Sequence, residues 1–454
     1  MTRERRVERR LAMSLATPDR IRQLQRKLYL KAKTEPSFRF YLLYDKVYRS
    51  DILEHAYLLA KANGGSAGVD GMTFDDIEQS GRQQWLAALG GELRGKTYKP
   101  QPVRRVMIPK PGGGERPLGI PTIRDRVVQA AAKLVLEPIF EADFSDSAFG
   151  YRPGRSAKDA VRRVHDAIRD GYTDVVDADL SRYFDTIPHK ELMRSVARRV
   201  VDRRMLRLVR MWLKVPVEER DERGNRKMSG GKRSKTGTPQ GGVISPLLAN
   251  VYFNRFLRHW ERRGMGQKLR AKVINYADDF VIVSCGKAAE ALTWTRRVMA
   301  GLGLRLNESK TCVRDVRRER FDFLGYTFAK VYNVYQRKHY LAACPSDKSV
   351  RRLKQKLRAA LAPWNTGPWD EVAARVNRML RGWGNYFSYG TLKRAYRAVD
   401  NHVFERVRHC LRRRHKLHSG GSRLLPSGKC LGRWGVERLR ERLMHLRGHT
   451  HALG

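Results

Sequence analysis

The apolar positions along the chain change period twice. After Thr17-Pro18-Asp19, Ile21, Leu24, Leu28 and Leu30 recur at helical spacing and predict an N-terminal amphipathic helix. The middle of the chain carries shorter apolar runs: Val175-Val176, Val273-Ile274 and Phe280-Val281-Ile282-Val283. Runs that short and rich in β-branched residues predict strands. Past residue 345 the helical period returns in three stretches. Val350, Leu353, Leu357 and Leu361 mark the first; Val372, Val376, Met379 and Leu380 mark the second. Tyr396, Val399, Val403, Val407 and Leu411 mark the third, and together they predict a small bundle. Gly64 to Gly71 read as a loop, and the polar stretch from Glu219 to Thr236 as a mobile hairpin. Gly231-Lys232 is no phosphate loop, because the upstream glycine is missing and Arg233 follows.

Acidic residues sit at the ends of two strand-like runs. Asp278-Asp279 lies between Val273-Ile274 and Phe280 to Val283, which places both carboxylates at a tight turn between paired strands. Burying two like charges is costly unless a cation compensates, and a hard divalent ion suits oxygen ligands. A bare Asp-Asp pair would be an ordinary solvated turn. The second acidic strand end argues otherwise: Val175-Val176-Asp177-Ala178-Asp179, followed by a helix beginning near Ser181. Asp179 and Asp278 are expected to meet across adjacent strands. Three carboxylates together can hold two Mg²⁺ ions about 3.5–4 Å apart, the clamp of phosphoryl transfer. Asp177 shares a strand face with Asp179 by period two and remains a competing candidate. Asp185 follows Phe184 and reads as a cap or salt-bridge partner.

Charge adds a partner class. The chain of 454 residues has 93 Lys and Arg against 46 Asp and Glu, a formal charge of +47, which is a polyanion-binding signature. Its length and 41% hydrophobic content predict two or three domains with ample core. Cys285, Cys312, Cys344, Cys410 and Cys430 form no Cys-x-x-Cys pair, which favours a reducing compartment and disfavours a zinc site. No long apolar run suggests a membrane span, and no hydrophobic signal segment follows the basic N-terminus.

With these pieces in place the chain resembles the group II intron reverse transcriptase–maturases. Asp179-Leu180-Ser181-Arg182-Tyr183-Phe184-Asp185 and Tyr276-Ala277-Asp278-Asp279 are similar to polymerase motifs A and C of that family. Gly237-Thr238-Pro239-Gln240-Gly241-Gly242 through Asn250 resembles motif B. Ile108 to Pro121 and Phe149 to Ser156 resemble the fingers motifs. Leu304 to Thr311 and Phe323 to Tyr326 resemble motifs D and E, and Leu380 to Phe387 resembles the thumb, or maturase domain X. The order is the family's order and the resemblance runs from about Asn63 to Leu417.

The resemblance implies an α+β right-hand polymerase followed by a helical thumb. The expected divisions are an N-terminal helical extension (1–62), fingers (63–170), palm with an antiparallel sheet (171–335), thumb (345–417) and a basic tail (418–454) that is a candidate DNA-binding region. It implies RNA-directed DNA synthesis from deoxynucleoside triphosphates on an RNA template and DNA primer, with binding of group II intron RNA for splicing and insertion into target DNA. Asp179, Asp278 and Asp279, helped by the Leu180 carbonyl, would hold two Mg²⁺, with Mn²⁺ as substitute. Lys110, Arg116, Phe184, Gln240 and Lys310 would contact the nucleotide, Phe184 by excluding a ribose 2′-hydroxyl. Arg406, Arg408, Arg412, Arg413, Arg414 and Lys416 are expected on nucleic acid. Trp383, Tyr386 and Phe387 are expected in the bundle core. His445, His449 and His451 lack paired cysteines, so the chain resembles the endonuclease-lacking, class C-like branch. The implied setting is a bacterial cytoplasm, associated with the nucleoid. Two other readings compete: a domesticated reverse transcriptase in defence or repair, and an RNA-binding splicing factor with a vestigial polymerase.

Overall fold

The computed structural model describes residues 16–442 except 110–113, 221–224, 334–335, 363, 366, 417–430 and 433. Lys110, the hairpin tip at 111–113, Cys430 and the three tail histidines therefore lie outside the described residues.

Strands β1 (Val103–Pro109) and β2 (Glu115–Ile120) form an antiparallel hairpin. Strand β3 (Asp174–Asp179) belongs to a different sheet. β4 (Pro216–Arg220) and β5 (Arg226–Gly230) form a second hairpin, and β4 adds to β1 in parallel, giving the order β2-β1-β4-β5. The polar insert expected at 219–236 is thus anchored at its base: Val217 and Glu218 pair with Val103 and Arg104. A segment from within the expected palm (171–335) thus completes the sheet of the β1–β2 hairpin, which lies in the expected fingers (63–170).

Strands β6 (Ala271–Tyr276), β7 (Asp279–Ser284) and β8 (Cys312–Asp315) join β3 in the order β6-β7-β3-β8, antiparallel throughout. Their continuous apolar runs have a physical cause: both faces are covered. On one face Phe253 and Phe256, from the Ser245–Arg262 helix, lie 5.5 and 5.9 Å from the Phe280 ring. On the other, Val161 and Val164 of the Ala157–Arg169 helix pack with Val175 and Val281. The Asp19–Thr34 and Ser50–Asn63 helices lie on the buried Ile123–Glu141 helix. Their Ile21, Leu28, Leu53 and Tyr57 share one core with Val176 and Phe280. The N-terminal helices are therefore continuous with the core of the four-stranded sheet. Leu30, predicted on the apolar face, is exposed.

Strands β9 (Phe321–Phe323), β10 (Tyr326–Asn333) and β11 (Lys338–Pro345) form a third sheet. It leads into the bundle of Asp347–Ala360, Trp369–Tyr386 and Lys393–Arg414. The predicted apolar stripes meet there: Leu353, Leu357, Val372, Val376, Leu380, Tyr396, Val399, Val403, Val407 and Leu411 share one core. Leu431, Val436 and Leu439 join it, while Arg381 pairs with Glu437 and Arg440 with Asp400 at 3.1 Å. The described part of the tail is docked on the bundle.

Two expectations for the thumb need correction. Phe387 packs with the sheet side, its ring 5.0 Å from Tyr326, and Tyr386 is 43% exposed; Trp383 alone touches the bundle core. The last turn of the Trp369–Tyr386 helix reaches over β10, so its aromatics face a sheet. Arg414 is a structural bolt. Its guanidinium donates to the carbonyls of Asn365 and Gly367 at 2.6 and 2.7 Å and lies over the Trp369 ring. Arg414→Gln should therefore destabilise the bundle by about 2 kcal/mol, the scale of a charge-assisted hydrogen bond. Arg413→Gln, at an exposed position, should leave stability unchanged. Hydrogen exchange at residues 364–369 checks this; equal protection in both variants would remove the bolt.

Candidate active site

The β6–β7 hairpin turns through Ala277 and Asp278, with Ala277 in the left-handed region at φ 61°. Asn275, buried beneath, donates its side-chain amide to the Ala277 carbonyl at 2.8 Å and to the Asp279 carbonyl at 3.3 Å. The ladder places Asp179 opposite Asp279, while Asp278 sits at the turn. Asp179 and Asp278 line the same cleft of about 950 Å³, with Leu180 beside them. Asp279 does not line it. Cross-strand partners project from the same sheet face, and Asp279 stands on that face beside Asp179.

Electrostatics records the crowding. The Asp279 carboxyl is pushed up to about 6, first by desolvation and then by Asp278, Asp179 and Asp177. Its side chain is nonetheless open to solvent at the strand end, so water moderates that push. Asp177 is also raised to about 6, by burial first, with Asp179 and Asp322 adding and Arg314 opposing. It pairs with Cys312 and Val281, one residue pair behind the cleft, and does not line it.

Asp179 is held from three directions. Its carbonyl accepts the Asn307 N–H at 2.8 Å. Its Oδ2 accepts the Asn307 side-chain amide at 3.0 Å and lies 3.1 Å from the Lys310 ammonium. Ser309 Oγ donates to Asn307 Oδ1 at 2.8 Å and fixes the amide's orientation. Leu180 bridges Leu306 through its neighbours: Ser181 N–H donates to Arg305 and Asn307 N–H to Asp179, leaving the Leu180 carbonyl outside the bridge.

The nucleotide-contact candidates divide. Arg116 Nε donates to Gln240 Oε1 at 3.1 Å, and Gln240 Nε2 donates to both Asp185 oxygens at 3.2 Å. All three line the cleft. Among the described residues Asp185 is thus neither a helix cap nor a salt-bridge partner; it is exposed and carries Gln240. The Gln240 carbonyl accepts the Gly119 N–H at 2.6 Å, which ties motif B to β2. Phe184 is buried at 7% exposure, edge-on to Tyr183 at 5.6 Å, and does not line the cleft. Its carbonyl, which accepts the Thr238 N–H at 2.7 Å, is what it gives the site directly. Lys310 rests on Asp179.

On the thumb, Arg406 and Arg413 border a surface groove with Arg358, His409 and the exposed Trp364. Arg408 and Arg412 are half-buried and Lys416 is exposed.

One residue that holds the acids was missed, and two tyrosines stand near them. Asn307 lay inside a recognised motif but has no charge to flag it. Tyr151 is half-exposed in the left-handed region, its hydroxyl raised by burial first and by Asp278 second. Tyr386 comes from the last turn of the Trp369–Tyr386 helix; its hydroxyl is raised by burial first, then by Tyr276 and Asp279, and it does not line the cleft. No sequence signal marks either tyrosine, since both arrive by tertiary folding. Among the described residues no three His, Cys, Asp or Glu side chains converge closely enough to hold an ion as they stand; Asp179 is instead engaged by Lys310 and Asn307.

Comparison with known proteins gives the family. Residues 108–328 match the reverse transcriptase (RNA-dependent DNA polymerase) family, which generally uses divalent metal ions. Residues 350–425 match the group II intron maturase-specific domain. Protein YkfC of Escherichia coli is 34% identical over 72% of this chain and 93% of its own length. The group II intron-encoded protein LtrA of Lactococcus lactis is 34% identical over 47% of this chain and 34% of its own. A 91 kDa protein in the cob intron of Schizosaccharomyces pombe is 25% identical over 71% of this chain and 46% of its own. No helix among the described residues is long and apolar enough to cross a membrane. Sheet order, acidic turn and matched domains together place the chain in the group II intron reverse transcriptase–maturase family, as an RNA-directed DNA polymerase joined to a maturase-specific domain.

Proposed function

We propose that this chain copies RNA into DNA at the cleft of Asp179 and Asp278, and that its thumb binds group II intron RNA to assist splicing and insertion into DNA. The observation that carries the first part is the register that sets Asp179 and Asp279 side by side with Asp278 at the adjoining turn. The donor set fits a hard divalent cation: it is all oxygen, Asp279 is raised to about 6 by desolvation first and then by Asp278, Asp179 and Asp177, and Lys310 is paired with Asp179. Asp179, Asp278 and Asp279 would hold Mg²⁺, with the Leu180 carbonyl beside them. When bound, the metal supplies Lewis-acid stabilisation of the attacking and leaving oxygens.

The chain's own groups then divide the work. Asn307 keeps Asp179 oriented. Lys310, released from Asp179, has the reach of an anion-binding cation at the phosphate end. Arg116 and Gln240 form a bonded pair lining the same cleft, where an incoming deoxynucleoside triphosphate would lie. The exposed arginines of the Lys393–Arg414 helix suit an RNA backbone, and the charge of +47 suits a protein that stays on nucleic acid, such as a bacterial nucleoid.

The test is extension of a DNA primer on an RNA template by the purified chain, with Mg²⁺ and with chelator. Metal-dependent extension is expected, and no extension with Mg²⁺ or Mn²⁺ would overturn the polymerase reading. A pH series adds a signed expectation. Asp279 binds its proton more tightly than an ordinary aspartate, so proton and metal compete until the pH exceeds about 6. At limiting Mg²⁺, extension should rise as pH climbs through about 6, and saturating Mg²⁺ should shift the rise to lower pH. A rise that ignores Mg²⁺ concentration would assign the titration to another group.

A further inference from the structure

The Ala157–Arg169 helix follows directly on the Phe149–Ser156 segment, whose Gly150 packs against the acidic turn. Its His165 stands where three parts of the fold meet. Imidazole Nε2 lies 2.9 Å from the Leu341 carbonyl of β11, and Nδ1 lies 2.9 Å from the Tyr389 hydroxyl. A carbonyl only accepts, so Nε2 carries the proton and Nδ1 accepts the Tyr389 O–H. The Tyr389 ring meets the imidazole edge-on at 5.7 Å, and the Arg162 guanidinium lies over it at 5.4 Å. Beside it, Lys158 Nζ donates to Ser388 Oγ at 3.4 Å.

Ser388 to Thr391 lie in the loop between the second and third helices of the bundle. β11 is the edge of its sheet, and carbonyls on an open edge need partners. Leu341 receives His165; Ala343, two residues on, accepts the Thr391 N–H at 2.8 Å. The loop comes so close that a Cβ at Gly390, whose φ is 82°, would collide with the Ala343 oxygen. Covering the edge needs only that backbone. The Tyr389 and His165 side chains add a tie that passes the edge and reaches the helix covering the four-stranded sheet. The chain enters the bundle from β11 through Ser346. A tie at Tyr389, remote in sequence from that joint, resists rotation about it.

We propose that His165 is a positioning residue: through Tyr389 it sets the angle between the bundle and the sheet that ends in the acidic turn. The inference rests on the reading of the cleft and the bundle as two nucleic-acid-binding surfaces. Two surfaces held at a fixed angle engage one long ligand together. A looser joint lowers the effective concentration of the second surface. A ligand too short to reach both feels no such change, and chemistry at the acids uses neither side chain.

The experiment uses the full chain and two variants: Tyr389→Phe, which keeps the ring and removes the hydroxyl, and His165→Phe. Melting curves establish folding. The half-saturating concentration and the saturating single-turnover rate are measured for a DNA primer on an RNA template. One duplex is long enough to reach from the cleft to the bundle, and one is short. On the long duplex each variant should raise the half-saturating concentration by about 3- to 10-fold, the scale of one hydrogen bond, at an unchanged saturating rate. On the short duplex both values should equal the parent's. The double variant should be no worse than either single one, because the two side chains act through one bond. An unchanged half-saturating concentration on the long duplex would overturn the proposal, and so would an equal loss on the short one. Hydrogen exchange gives a readout without catalysis. The Thr391 amide should exchange faster in both variants while residues 399–411 keep their protection; unchanged Thr391 exchange would also overturn the proposal. If the parent extends no primer, the polymerase reading fails, and Thr391 exchange with equilibrium binding of the two duplexes still decides the tie.

Discussion

Asp278→Ala should reduce primer extension on an RNA template by about 10³-fold or more while RNA binding persists. Asp278 is the turn residue of the β6–β7 hairpin and lines the cleft with Asp179. Stabilising charge on the attacking and leaving oxygens is worth several kcal/mol, and each 1.36 kcal/mol is a factor of ten in rate. Asp179→Asn should lose a similar amount. Asp279→Asn should lose less, because Asp279 stands beside Asp179 without lining the cleft. Asp185→Asn should also lose less than Asp179→Asn, since its carboxylate positions Gln240. Single-turnover extension beside equilibrium RNA binding separates chemistry from affinity. Undiminished extension by Asp278→Ala would remove this carboxylate from the mechanism. A larger loss at Asp185 than at Asp179 would show that the wrong motif A acid had been chosen.

The second large effect comes from a residue with no functional group. A Cβ at Gly150 would lie 2.3 Å from the Ala277 nitrogen and 2.9 Å from the Tyr276 carbonyl carbon, inside the acidic turn itself. These neighbours are backbone atoms and cannot rotate away. Gly150 does not have a positive φ, so alanine would carry no intrinsic strain there. Relieving the overlap requires the hairpin or the Phe149–Tyr151 segment to move by roughly 1 Å. Misplacement of that size costs about 10² in rate. Gly150→Ala should therefore fold, bind RNA and lose about two orders of magnitude in extension. Gly91→Ala, where an added Cβ meets nothing within 4 Å, is the control. Equal activity in the two variants would mean that the acidic turn tolerates displacement.

The Gly150 case also shows where the motifs end and the fold begins. Phe149 to Ser156 resembles a fingers motif, but nothing in the letters says that this segment runs under the Asp turn. The contact is made by folding: Phe149 N–H donates to the Asn275 carbonyl and Asn275 N–H to the Ser147 carbonyl, each at 2.8 Å. Asn307 is similar. Its box was legible, yet its grip on Asp179 depends on the Leu180–Leu306 bridge, which no spacing rule supplies.

By itself the sequence determined the elements and the reaction class. Period-two acids, short β-branched runs and three helical stripes were enough to predict strands ending in carboxylates and a bundle behind them. Those signals are local, because the side-chain period of a strand or helix is a property of neighbouring residues. The charge of +47 needed no structure to point to a polyanion. Tertiary structure alone decided which carboxylates line the cleft, since register is set by pairing between distant strands. It decided that Phe184 is buried, that Arg414 is spent on backbone carbonyls, and that the 216–230 hairpin completes the sheet of the β1–β2 hairpin. Each of those outcomes depends on a partner far away in the chain. A residue type records what a side chain can do, and only packing fixes which partner it meets.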